Sequence, residues 1–217
     1  MKGLLLTNYY LVYRSFFAYT GLAILVCGII FYFGDDSMHR FVAMLTILFV
    51  AMPALEVIKY EGKSGYDKYV LTLPVSRRDI VQSHYFFYFL VVVIGAFISC
   101  GIFYVYGLVS DTSFDGIFNI VSFGTFIVLF AGAIVYPLLY ILGPEKSDVI
   151  VIGGAMGGLF ATFGLQSLVG YLIKQLPLSN LNIDTSFYVP IIYIIFGAII
   201  YIISFFIAVF IYHKKEF

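Results

Sequence analysis

Ser76-Arg77-Arg78-Asp79, preceded by Leu73-Pro74-Val75, is the group of residues whose types and spacing are most pointed. A serine three positions ahead of an acid is the pattern of a helix N-cap whose acid reaches back, a short relative of the capping box. Pro74 pushes Leu73 out of helical geometry. The spacing therefore predicts one short helical piece over residues 66–73, a corner at Pro74, and a new helix starting at Ser76. That new helix should continue through Ile80, Val81 and Tyr85 without a break. Such an arrangement does mechanical work rather than bond chemistry: a bent, stiff lever that passes motion from a partner to the helix behind it. An ordinary surface loop, with Arg77 and Arg78 bonding lipid phosphates, accounts for the same residues equally well.

These residues lie in the one long polar stretch, Glu61 to Tyr85, which holds seven charged residues: Glu61, Lys63, Asp67, Lys68, Arg77, Arg78 and Asp79. Within it, Gly62-Lys63-Ser64 resembles the end of a phosphate-binding loop. The full pattern needs a glycine five residues before Gly62, where Val57 stands, and a preceding strand. ATP binding by this chain is therefore rejected. Glu56 is the best ionisable candidate inside an apolar run, at its cytoplasmic end. It could line the inner mouth of a pathway, or simply reach water or pair with Lys59 or Arg14. His39, His84 and His213 sit at separate helix ends, and their spacing suggests no common site. No Ser/His/Asp set and no paired glutamates fall within the apolar runs, which argues against an intramembrane protease.

The elements that must position these residues follow from composition. Of 217 residues, 62% are hydrophobic and 11% charged, with a mean hydropathy of +1.03. A soluble domain carries roughly 25% charge, so a bilayer is the expected solvent. Lys+Arg and Asp+Glu balance at 12 each, giving no sign of a nucleic-acid partner. Cys27 and Cys100 lie in apolar runs, where cysteine behaves as a small hydrophobe; neither a disulfide nor a metal spacing is indicated. The first residues do not form a cleavable signal, because Asn8, Tyr9, Tyr10 and Arg14 interrupt the apolar patch.

The expected fold is all-α: one polytopic domain, 1–217, of six transmembrane helices. Residues 2–14 have the spacing of a short interfacial helix, or of the first turns of the first span. Spans are expected at about 15–33, 41–58, 86–109, 117–142, 149–173 and 187–212, each long enough for ~30 Å of hydrocarbon. Pro53 should kink or end the regular part of the second span, and Pro137 should break the fourth. Gly153, Gly154, Gly157 and Gly158 predict close packing of the fifth. Six spans put both termini on one side. The termini, the polar stretch and the 143–148 turn, together with Lys59, carry ten of the twelve Lys and Arg residues, leaving Arg40 and Lys174 opposite. That asymmetry places both termini and the polar stretch in the cytoplasm. The outer loops, with Asp35, Asp36, Asp111, Asp115 and Asp184, are short.

Asp67-Lys68-Tyr69, followed by Leu73-Pro74-Val75-Ser76-Arg77-Arg78-Asp79-Ile80-Val81, resembles the signature of small ABC-2 type transporter permeases. The likeness covers the whole chain. It implies that the segment between the second and third spans is a coupling helix docking into a separately encoded ABC ATPase subunit. Tyr66, Asp67, Lys68, Tyr69 and Leu73 would then face the ATPase, and Pro74, Arg77, Arg78 and Asp79 would fix the corner. It further implies no cofactor in this chain, with ATP and Mg held by the partner ATPase. A second permease copy, or a homologous permease, would complete the pathway in a bacterial cell membrane. Within the family the chain is most similar to permeases of phenol-soluble modulin exporters, which implies an amphipathic peptide substrate and resistance to antimicrobial-type peptides. Two other readings stand beside this one: a scaffold or sensor subunit that moves nothing, and an ion-coupled carrier working alone. A single intramembrane carboxylate, Glu56, speaks against the carrier.

Overall fold

A computed structural model of the chain describes residues 2–34, 38–110, 116–175 and 185–214. Among these residues every regular element is helical, as a lipid solvent requires of a backbone that must satisfy its own polar groups. The order is α1 (Lys2–Phe33), α2 (His39–Leu55), α3 (Val57–Ser64), α4 (Tyr66–Tyr69), α5 (Arg77–Ser110), α6 (Ile117–Leu142), α7 (Ser147–Gln175) and α8 (Thr185–Lys214). Short 3-10 turns cover Val70–Thr72 and Pro144–Lys146. Six stretches are long and apolar enough to cross a membrane: Lys2–Phe33, Phe41–Ser64, Arg77–Val109, Ile117–Leu142, Pro144–Ser167 and Tyr188–Lys214. The chain is an all-α, polytopic membrane protein. The expected outer-side carboxylates Asp35, Asp36, Asp111, Asp115 and Asp184 lie outside the described residues, as does Lys215.

Three boundaries differ from the sequence reading. Residues 2–14 and 15–33 form one helix, α1, because no proline and no polar turn separates them. Its first turns pack on protein: Leu4, Asn8 and Val12, four residues apart, are buried, and the Asn8 amide donates to the Ser83 hydroxyl at 3.5 Å. The second span does not end at residue 58. Pro53 is absorbed inside α2, and the helical ladder slips only at Glu56, whose N–H reaches both Met52 and Pro53 carbonyls at 3.3 and 3.1 Å. Helix then resumes as α3 to Ser64 and stops at Gly65, whose φ of 71° is open to glycine without strain. Glu61 to Ser64 are therefore the last turn of a helix and not the start of a loop.

The third difference is at Pro137. α6 runs through it unbroken. A proline cannot donate to the carbonyl four residues earlier, here Ala133. That carbonyl instead accepts the Ser204 hydroxyl of α8 at 2.6 Å. A hydroxyl from a neighbouring helix replaces the missing backbone donor, as transmembrane prolines commonly require.

α6 is the central helix, packed by α8, α7, α2 and α5, while α2 also packs α5 and α1. Gly154 and Gly158 of α7 face α6. A methyl group on Gly158 would sit 2.8 Å from the Ile127 carbonyl, and one on Gly154 would overlap Val135. The close helix approach expected of the Gly-rich stretch is present. Buried tyrosines then tie the bundle crosswise. Tyr88 donates to the Val128 carbonyl at 2.6 Å, Tyr136 to Ala54 at 3.1 Å, and Tyr201 to Tyr85 at 2.9 Å. In lipid such interhelical bonds, and not a hydrophobic driving force, give the bundle its specificity.

Candidate functional site

The corner at the base of α5 is built from its own sequence. The Ser76 hydroxyl accepts the Asp79 N–H at 3.1 Å, and the Asp79 carboxylate accepts the Ser76 N–H at 3.3 Å and the Ser76 hydroxyl at 2.6 Å. This is a reciprocal capping box: two backbone donors left over at a helix start are satisfied, and a negative charge lies on the positive end of the helix. Leu73 is extended, with ψ of 154°, and the Val75 N–H returns to the Leu73 carbonyl at 2.7 Å, closing a tight turn around Pro74. α5 starts at Arg77 and continues for 34 residues without interruption.

Ahead of the corner, α4 and the Val70–Thr72 turn form one short piece with two faces. Val70 is buried, and the half-buried Tyr66 and Leu73 pack against the core. Lys68, Tyr69, Thr72 and Pro74 are exposed, Tyr69 to 59%. Leu73, extended in backbone, is thus half-buried against the bundle. Among the corner residues, Asp79 makes the cap and Arg78 is exposed. Arg77 reaches across to α8, its guanidinium donating to the Tyr212 and His213 carbonyls at 3.4 and 3.1 Å. A cation on the last carbonyls of a helix is favourable. The base of α5 is therefore tied to the end of the last span.

Behind this piece lies a cluster that spacing did not suggest. Glu61 of α3, 5% exposed, accepts at Oε1 from His84 Nε2 of α5, 2% exposed, over 3.1 Å. The other imidazole nitrogen, Nδ1, is 2.8 Å from the Tyr140 hydroxyl of α6. A carboxylate accepts, so the Glu61 contact is a donation from Nε2, while Nδ1 and the Tyr140 hydroxyl share the second bond. A cavity of about 40 Å³ adjoins these groups, lined also by Asp67, Pro144 and Tyr212. His84, near the base of α5, thus joins groups from α3 and α6 that its spacing did not indicate. The signal was present in the periodicity: Ile80, Val81, His84 and Tyr88 fall on one buried stripe of α5, and Ala54, Val57, Ile58 and Glu61 on one stripe of α2 and α3.

Two further contacts fix the neighbouring turn. The Lys59 ammonium pairs with the Asp148 carboxylate of the 143–148 turn, with Glu56 as a further electrostatic neighbour. Gly62 lies against Pro144, where a methyl group would approach Cγ to 2.6 Å. That close approach is a physical reason for a glycine in the Gly62-Lys63-Ser64 sequence. Glu56 itself is half-buried at the α2–α3 junction, with the Tyr19 hydroxyl of α1 as a neighbour. Arg14 bonds the adjacent Tyr13 hydroxyl at 2.8 Å. Among the described residues no group of three His, Cys, Asp or Glu side chains converges as a metal site.

The arrangement is a rigid corner with an exposed polar face, clamped at its back to the spans α5, α6 and α8. Neither a curated protein nor a solved structure matches the chain. A family model described as ABC-2 family transporter protein matches residues 3–213, nearly the whole length. The six apolar helices, the capped corner and that match together make the chain a member of the ABC-2 transporter family, a membrane permease component whose family works with an ABC ATPase.

Proposed function

We propose that this chain is the permease subunit of an ATP-driven exporter, docked to its ATPase through residues 66–73. The observation that carries the reading is the two-faced docking piece: Lys68 and Tyr69 are exposed while Val70 behind them is buried, and the capped corner joins the piece rigidly to α5. Tyr66, Asp67, Lys68, Tyr69 and Leu73 are the proposed coupling residues, and Pro74, Arg77, Arg78 and Asp79 hold their angle. ATP and its Mg belong to the partner. Closure of the ATPase pair would push or pull this piece and tilt α5 against α6 and α8.

The excess of Lys and Arg on the termini and on the 59–78 region supports a cytoplasmic location for all of them. The structure holds one six-helix bundle, and a second permease, identical or homologous, is proposed to complete the pathway. Glu56, at the slip between α2 and α3, is the proposed inner mouth. The proposed cargo is an amphipathic peptide of the phenol-soluble modulin type; 24 Phe and 19 Tyr give the bundle surfaces that tolerate such greasy substrates. The test is co-expression with the ATPase. Asp67→Lys and Leu73→Asp should lower ATPase co-purification at least tenfold and abolish ATP-dependent uptake of an amphipathic helical peptide into inside-out vesicles. Unimpaired peptide transport by both variants, or by the permease without the ATPase, would overturn the proposal.

A further inference from the structure

We infer that Glu61 and His84 are positioning residues of the coupling step, forming with Tyr140 a hydrogen-bonded relay that carries displacement of the docking piece into α6. The inference rests on the docking reading above and adds the route by which motion leaves the corner. Three observations support it. The relay spans three helices: Glu61 on α3, His84 on α5 and Tyr140 on α6, with contacts of 3.1 and 2.8 Å. All three side chains are buried, so each bond stands in place of water and cannot be given up cheaply. Asp67, on the docking piece itself, lines the same cavity of about 40 Å³ as Glu61, His84 and Tyr140. The proposed coupling surface and the relay therefore border one small cavity.

The imidazole is held on both sides at once: Nε2 bonds Glu61 and Nδ1 bonds the Tyr140 hydroxyl. A shift of α3 or α5 that breaks either contact leaves a buried polar atom without its partner, so displacement of one helix is passed to the next. The titratable groups lining the cavity beside His84 are Glu61 from α3, Asp67 from α4, Tyr140 from α6 and Tyr212 from α8. Arg77, on its own helix, is engaged with the Tyr212 and His213 carbonyls. The relay is thus bordered by two carboxylates, with that guanidinium committed elsewhere for at least two of its bonds.

The experiment uses the intact permease–ATPase complex in lipid nanodiscs. The readout is its ATP hydrolysis rate relative to the ATPase alone, alongside co-purification yield. Glu61→Ala and His84→Ala should keep co-purification within twofold of wild type and cut the permease-dependent change in hydrolysis at least fivefold. His84→Gln, which keeps an amide donor and acceptor, should recover at least half of that change. Glu61→Gln, isosteric and with the weaker acceptor, decides the matter if the alanine variants fail to fold: it should fold, bind, and lose at least half of the change. A wild-type hydrolysis response in Glu61→Ala and His84→Ala, or in Glu61→Gln where those do not fold, would overturn the inference, as would a His84→Gln response no larger than that of His84→Ala. Leu73→Asp reports separately on docking. If it co-purifies normally, the docking reading fails whatever the relay variants do.

Discussion

Gly62 sits against Pro144, with room for a hydrogen and none for a methyl: the added carbon would lie 2.6 Å from Pro144 Cγ and 2.9 Å from Cβ. Pro144 opens the rigid Pro144–Lys146 turn and cannot swing away as a long side chain would. Gly62→Ala should therefore cost ~1–3 kcal/mol through overpacking. Gly153→Ala is the matched control, since nothing lies within 4 Å of the position and glycine in a helix is the poorer residue by up to ~1 kcal/mol. Thermal unfolding of the purified protein in detergent should show a lower midpoint for Gly62→Ala and an equal or higher one for Gly153→Ala. A midpoint unchanged by Gly62→Ala would mean that the 143–148 turn moves freely against α3.

A coupled pair of substitutions tests the proline in α6. Ser204→Ala removes the donor to the Ala133 carbonyl and the partner of the Tyr85 hydroxyl, which lies 2.8 Å from Ser204 Oγ. The expected loss is ~1–2 kcal/mol, because two buried polar groups are left short. Pro137→Ala returns a backbone N–H to the same carbonyl. The double variant should then be less destabilised by the serine change than the proline-containing protein is. The measurement is a double-mutant cycle on unfolding free energy, with a coupling of at least ~0.5 kcal/mol. Additive losses would show that the Ser204 bond is not the compensation for Pro137.

Much of the architecture was legible because it is local. Ser76 and Asp79 are three residues apart, and their types alone predicted the cap that the structure contains. The six apolar runs followed from length and charge, which a bilayer enforces strongly. What escaped was non-local. Glu61 and His84 are 23 residues apart, and His84 and Tyr140 are 56 apart. No spacing rule joins them; only the packing of α3 and α6 against α5 does. Pro137 was read as a break because its rescuer, Ser204, lies 71 residues beyond Ala133. Glu61 was placed in the polar stretch beyond a second span ending near residue 58, whereas the chain resumes helical geometry after Glu56 and carries Glu61 into the interior. In each case a side chain from a distant helix overruled a local preference.

The surface pair Lys59–Asp148 offers a contrast with the buried relay. Asp148 is 71% exposed, so water already solvates it and the pair gains little. Asp148→Asn should change stability by less than ~0.5 kcal/mol, and that small effect should fade further in 0.5 M salt. Glu61→Ala, by contrast, leaves a buried imidazole N–H without its acceptor and should cost ~1–3 kcal/mol. The two variants measured side by side by thermal or denaturant unfolding should rank in that order. A larger loss from Asp148→Asn would indicate that the 143–148 turn is held mainly by charge and not by the Gly62–Pro144 contact.

The angle of the docking piece depends on whether the Ser76–Asp79 cap is merely decorative at the end of a long helix or holds the corner. α5 is long enough to stay helical without it, so the global effect of Ser76→Ala should be modest, ~1 kcal/mol. The local effect should be larger in kind. Without the cap, the first turn of α5 can fray, Pro74 loses its fixed exit direction, and Arg77 is freed from the α8 carbonyls it now reaches. Hydrogen exchange at the amides of residues 77–80 should then speed up about fivefold, the equivalent of ~1 kcal/mol of local stability, while those near Val91 and Val92 stay unchanged. Asp79→Ala should do the same, and the double variant should add little, since both substitutions break one reciprocal unit. In the complex, the same variants should retain ATPase binding, because the exposed face of α4 is untouched, and lose part of the hydrolysis response. If exchange at the corner is unchanged in both single variants, rigidity at Pro74 comes from packing of Val70 and Leu73 alone, and the cap has no part in transmitting motion.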